Sequence, residues 1–253
     1  MENQERWDQH SLEIVGKPHV NFRTPDTVQQ FPIGSIFRFR GKTYIYCHNG
    51  AAALVVGDVI QSAAFGGSAA TIQHDLTPSA ADIGAVEVSV TTSTDAVTKN
   101  QFGGGEFGIT DGDAANAMGD IYEILSHPAG AAGAIVFTLT EALVRAVTTS
   151  SRISIIKNIY EDVIQAPVTT PSGMAVGVAC SPIAIDGYGF LQTYGMANVL
   201  NLTALTAGTN VRRDVAAAGS AGIQGTLATE VVGNTGWVTD TGDSGFVFLT
   251  IRA

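Results

Sequence analysis

Turn residues interrupt this chain about every 8 to 12 residues, and the runs between them are too short for an independent helix. The stretch "SIFRFRGKTYIYCHNG" (35–50) shows the pattern. Ile36, Arg38 and Arg40 alternate with Phe37 and Phe39, the run turns at Arg40-Gly41-Lys42, and it resumes with Tyr44 and Tyr46. Alternation of this kind sends successive side chains to opposite faces of a strand. It predicts a β-hairpin closed by Asn49-Gly50. "ALVVGDVIQSA" (53–63) predicts a further strand pair or a bend around Gly57-Asp58. Val86, Val88 and Val90 stand at period two, and "DIYEIL" (120–125), "AIVFTLT" (134–140) and "SRISIIKNIY" (151–160) read as further strands. "EALVRAV" (141–147) suits a helix in composition but is too short to hold one alone. There is no βαβ alternation. The expected fold class is mainly β, a β-barrel or β-sandwich of short antiparallel strands with an extended N-terminal arm.

Three segments follow from the pattern. Residues 1–32 are polar, carry Pro18, Pro25 and Pro32, and have no strand or helix period. Such an arm needs a holder, either a neighbouring molecule or its own domain. Residues 33–165 read as a β-rich domain and 166–253 as a β-barrel or sandwich domain. "GKTYIYCHNGAAALVVGDV" (41–59) and "GYGFLQTYGMANVLNLTALTAGTNV" (187–211) echo one another, either as a duplicated unit or as two glycine-bounded hairpins.

Charged residues make up only 14% of the chain, so Thr, Ser, Asn and Gln must supply much of its polar surface. Low charge of this kind suits strands packed against neighbours. The net charge of -10 gives no electrostatic reason to bind nucleic acid over a broad face. Cys47 and Cys180 lie far apart and read as two free, buried thiols rather than a disulfide framework. "MENQERWDQH" has no apolar segment after it, and prolines and glycines break the uncharged run Val163 to Ile185. The expectation is a soluble protein made in a cytoplasm, with no membrane partner.

Several stretches resemble chemical motifs and fail on spacing. In "EFGITDGDAANAMGDIYEILSHPAG" (106–130), a calcium loop begun at Asp111 meets Ala115 at its fifth position, Asn116 at its sixth and Tyr122 at its twelfth. Such a loop needs an oxygen ligand, a glycine and a glutamate there. Asp, Asn and Gly make hairpin turns for their own reasons, so a turn between "EFGIT" and "DIYEIL" is expected, with a calcium site of another kind between neighbouring chains left open. "RGKTY" (40–44) has Ile36 where a phosphate loop needs glycine, and a strand follows it. "GGSAA" and "AGSAG" do not match a nucleophile elbow. His10, His19, His48, His74 and His127 show no paired metal spacing. His127, before Pro128, suits a structural hydrogen bond. Cys47 and His48 point to opposite faces of one strand, which separates thiol from imidazole. No catalytic, metal or cofactor-binding residue is expected.

From "AVTKNQFGGGEFGITDGDAANAMGDIYEILSHPAG" (96–130) onward, the chain resembles the capsid decoration, or cement, proteins of tailed bacteriophages. The resemblance rests on Thr98 to Gly105 leading into a strand, "SHPA" (126–129), "TTSSRIS" (148–154), "TTPSG" (169–173), "YGFLQTYG" (188–195) and the tail "GNTGWVTDTGDSGFVFLTI" (233–251). It covers roughly residues 80 to 253 and rests on order and spacing, each motif being turn chemistry plus strand. It implies a structural virion protein on the capsid surface, a homotrimer whose partner is the major capsid protein, with no catalytic residues. Trp7, Phe22 and Phe31 of the arm and Arg38 and Arg40 of the first hairpin are the candidate partner-binding residues. Phe37, Phe39, Tyr44, Phe190, Tyr194 and Trp237 are core or contact. Two other classes stay open. A head-fibre or tail adhesin would bind host glycan through Tyr188, Tyr194 or Trp237, and a β-fold hydrolase would carry two carboxylates about 5–9.5 Å apart in a cleft.

Overall fold

The structure is a computed structural model that describes residues 20–65, 70–92, 96–111, 118–131, 133–168, 172–201, 204–214, 217–223, 231–235 and 242–251. Those residues form sixteen β-strands and no helix. The chain opens with β1 (Ile36–Phe39), β2 (Lys42–His48) and β3 (Val59–Gln61). It continues through β4 (Ile72–Pro78), β5 (Glu87–Thr91), β6 (Glu106–Asp111), β7 (Ile121–Ser126), β8 (Ala134–Leu139) and β9 (Arg152–Ile156). The remainder is β10 (Ile164–Gln165), β11 (Ala175–Ala179), β12 (Tyr188–Leu200), β13 (Asn210–Arg213), β14 (Ala221–Ile223), β15 (Val231–Thr235) and β16 (Ser244–Thr250). The mainly β fold expected from the turn spacing is what the chain adopts.

The chain divides differently from the consecutive segments 33–165 and 166–253. One unit combines residues 1–63 with 160–253, and residues 64–159 form a second unit nested between them. Sequence periodicity reports which face of a strand is apolar, not which distant strand it will pair with. That is why the nesting could not be read from it.

The first unit is a ten-stranded sheet ordered β10-β3-β11-β12-β16-β15-β13-β14, with β2 also on β12 and β1 on β2. Its longest member, β12, has 13 residues. Tyr188 to Tyr194 pair with β2 and Tyr194 to Leu200 pair with β16, while Leu191 and Gln192 pair with β11. From Gly189 to Thr193 every β12 residue is buried; beyond Gly195 buried and exposed residues alternate. The first part is thus covered on both faces and the second on one. The β1–β2 hairpin forms, but it closes at Arg40 (φ 48°) and Gly41 (φ 74°), both left-handed as a type I′ turn requires, whereas Asn49-Gly50, expected to close it, follows β2 and Asn49 bridges Val163 instead. Gly195 (φ 86°) faces that turn: a Cβ there would lie 2.7 Å from the Gly41 carbonyl oxygen.

The second unit is a closed barrel, β4-β5-β8-β7-β6-β9. Val88, Val90, Phe107, Ile109, Ile124, Ile135, Phe137, Ile153 and Ile155 fill it from alternate positions of their strands. The aspartate-rich stretch is a hairpin, as expected: Phe107 pairs with Tyr122 and Gly108 with Ile121, and the connection 112–117 lies outside the described residues. Asp120 receives the Arg145 guanidinium through Nε at 2.9 Å and through Nη2, which holds its carboxyl below the usual range. "EALVRAV" is not helical. Leu143 and Val147 are buried against the barrel, and their backbone groups pair with Ala85 and Ala81. Pairing with residues 81–85 replaces the bonds a two-turn helix would make.

His127 fulfils the structural role expected of it. Only 2% exposed, it accepts the Phe102 N–H at Nε2 (3.0 Å), and Nδ1 lies 2.9 Å from the Pro128 carbonyl oxygen. An Nε2 that accepts and an Nδ1–H that donates define a neutral ring. Burial lowers its pKa further, the Pro128 contact opposing only in part.

Two predictions follow from this architecture. Gly195→Ala adds strain at a positive φ and a collision with backbone, so it should destabilise the first unit by about 1–3 kcal/mol, read as a lower thermal midpoint. His127 binds its proton more weakly folded than unfolded. Its contribution to stability is therefore complete above the ordinary histidine pKa of about 6.5 and is lost as pH falls through the folded value. Thermal unfolding from pH 7.5 down to pH 5 should show this loss, and His127→Gln should flatten it.

Candidate functional site

The first unit carries an aromatic cluster that holds down the chain preceding β1. Phe37, Tyr46 and Phe190 are its buried centre, on β1, β2 and β12. Phe31 meets Phe37 and Tyr46 edge to face at 5.0 and 5.2 Å, and Phe22 stacks on Tyr44 with ring centroids 4.0 Å apart. Such pairs contribute about 0.5–1.5 kcal/mol each beyond their burial. Polar contacts complete the attachment. Asp26 and Tyr188 exchange two backbone hydrogen bonds of 2.8 Å, and the Tyr46 hydroxyl donates to Asp26 Oδ2 (2.9 Å) while accepting from the Gln30 N–H (3.1 Å). Burial raises the Tyr46 pKa well above the ordinary tyrosine value.

This cluster places the sequence-predicted residues. Phe22 and Phe31 pack within their own unit, so residues 20–32 of the arm are held by the domain they precede. Arg38 and Arg40 are exposed, and the Arg40 guanidinium carbon lies 5.0 Å from the centre of the Phe39 ring. Trp7 and Trp237 lie outside the described residues. Phe37 and Phe190 are core. Phe39, Tyr44, Tyr188 and Tyr194 are half-buried.

Beside the cluster lies a groove of about 890 Å³. Phe22 and Tyr44 form one wall, Val178 and Cys180 line it further, and Arg23 and Lys42 bring positive charge into a chain of net -10. Among its described lining residues there is no Asp or Glu. Met196 and Phe246 line it too, and with Phe248 they continue onto the outer face of β12 and β16. Phe246 is 57% exposed, Met196 40% and Phe248 38%. Met196 stands opposite Phe248 across the strands, and Phe246 lies one outward position further along β16. Met196, Phe246 and Phe248 are thus adjacent apolar side chains left partly exposed beside a concave surface. The period-two pattern of "SGFVFLT" held the clue, since it sets Phe246 and Phe248 outward while Val247 and Leu249 enter the core.

The cysteines are free, Cys47 buried and Cys180 half-buried. Burial raises both thiol pKa values, that of Cys180 to about 12, so the thiol in the groove stays protonated near neutrality and is a weak nucleophile. One cluster escaped the sequence reading. His48 Nδ1 lies 2.9 Å from Glu161 Oε1 and 3.1 Å from Asp162 Oδ1. The 113-residue separation, counted from 48 to 161, hid it.

Comparison with protein-family models, curated proteins and solved structures found no match.

Tyr46→Phe removes a buried hydrogen-bond pair while keeping the ring. It should cost about 1 kcal/mol and raise hydrogen exchange across residues 20–32, with the barrel unchanged.

Proposed function

We propose that the chain is a non-enzymatic structural protein of a tailed-phage virion, which binds the outer surface of the capsid and bridges neighbouring major capsid subunits. The observation that carries the reading is the uncovered face of Met196, Phe246 and Phe248 running into the groove. Buried aromatic anchors beside a pocket are the usual source of binding energy at a protein interface. Arg23 and Lys42 would receive an acidic segment of the capsid subunit, and electrostatic match would favour that register. The order of motifs from residue 80 onward supports the same assignment and implies a homotrimer.

The mechanism is mass action. A protein that binds only the assembled shell stabilises it in proportion to occupancy, and a trimer that engages several subunits gains from effective concentration. The clasp proposed for the arm narrows to residues 1–19, because residues 20–32 are engaged by their own unit. A second reading, a head-fibre or tail adhesin binding host glycan, is favoured by a groove that combines aromatic side chains with the amides of Asn21, Gln192 and Asn198.

Co-sedimentation with bare, expanded phage capsids tests the proposal. Saturable binding at a fixed ratio to the shell protein is expected. Replacing Phe246 and Phe248 together by Ser should weaken it by roughly tenfold or more while the fold persists. Deletion of residues 2–19, which spares the aromatic cluster, should weaken it separately. No binding to capsids, with retention on host cells, would replace the capsid reading by the adhesin one.

A further inference from the structure

We propose that His48, Glu161 and Asp162 form a binding site for one divalent transition-metal ion of the Mn²⁺ or Zn²⁺ class. The three side chains come from two segments of the first unit: the end of β2, and the chain returning from the nested unit. The segments are tied by backbone. The His48 N–H donates to the Tyr160 carbonyl and its own carbonyl accepts the Val163 N–H, both at 3.0 Å. Gly50 lets the returning chain lie close, since a Cβ there would stand 3.2 Å from the Asp162 carbonyl oxygen. Asp162 is held left-handed at φ 54°. The donor atoms are thus presented on fixed backbone, and the His48 ring is packed against Tyr188 at 4.7 Å between centroids.

The contact geometry suits neighbouring ligands of one ion. Nδ1 lies within 3.1 Å of both carboxylate oxygens, yet it is buried and has no acceptable hydrogen bond. A proton on Nδ1 would therefore point down neither contact. Two ligands adjacent on an octahedral ion, with bonds of about 2.1 Å, stand about 3.0 Å apart, each some 45° off the other's bond axis. Short separation with oblique direction is what neighbouring ligands of one ion show and what hydrogen-bonded partners do not. One imidazole with two carboxylates selects against Ca²⁺ and Mg²⁺, which prefer all-oxygen surroundings, and suits Mn²⁺ or Zn²⁺. The Glu161 and Asp162 side chains are 29% and 41% exposed, which leaves room for water to complete the coordination. Filled, the site would fasten the returning chain to β2.

The test is titration of the EDTA-stripped full-length chain with MnCl₂, ZnCl₂ and CaCl₂, followed by calorimetry and by thermal unfolding. Saturable binding of Mn²⁺ or Zn²⁺ at one ion per chain is expected, with a raised thermal midpoint and much weaker binding of Ca²⁺. His48→Gln, Glu161→Gln and Asp162→Asn should each lower the affinity by about tenfold or more. Asn tolerates the left-handed backbone, so Asp162→Asn keeps the test valid if His48→Gln fails to fold. Absence of saturable binding to the native chain would overturn the proposal. So would binding that Glu161→Gln and Asp162→Asn leave unchanged, or Ca²⁺ binding as tight as that of Mn²⁺.

Discussion

The first unit depends on the backbone hydrogen bonding of one strand. β12 is paired with β2 over its first half, with β16 over its second and with β11 near its middle. Each interior backbone amide and carbonyl must find a partner, and a long strand meets that demand by recruiting several shorter ones. Phe190, on β12, contacts Phe22, Phe31, Phe37 and Tyr46. The same strand turns Met196 outward beside Phe246 and Phe248. Core, arm attachment and proposed docking face therefore share one support.

Local structure was legible in the sequence wherever turn chemistry and alternation coincided. The turn read at Arg40-Gly41-Lys42 is the β1–β2 hairpin turn, with Phe39 opposite Lys42, while the closure read at Asn49-Gly50 is not. The runs at 120–125, 134–140 and 151–160 became β7, β8 and β9 with shifts of a residue or a few at their ends. What stayed hidden was long-range. Pairing of β3 with β11, or of β2 with β12, joins residues more than a hundred positions apart, and period two is equally satisfied by many partners.

The site was legible to a smaller extent and for the same reason. Phe22 and Phe31 read as contact residues because a polar arm offers no local core, but the core they join is built by β1, β2 and β12. Arg213 is a sharper case. It is 2% exposed and donates to Gln61 Oε1, and the Gln61 amide in turn donates to Ser172 Oγ at 2.8 Å. Nothing near "NVRRDV" says that its second arginine is interior, since a buried arginine is defined by acceptors brought from elsewhere.

The nesting of residues 64–159 within the first unit has a mechanical consequence. Residues 64–159 join the first unit at both ends, and β2 and β3 pair with β10, β11 and β12 across that insertion, so tension applied between residues 20 and 251 reaches the barrel only after those pairings part. The load path imposes an order of rupture, first-unit sheet before barrel. A chain built this way keeps a folded barrel in reserve under strain, whichever end is pulled.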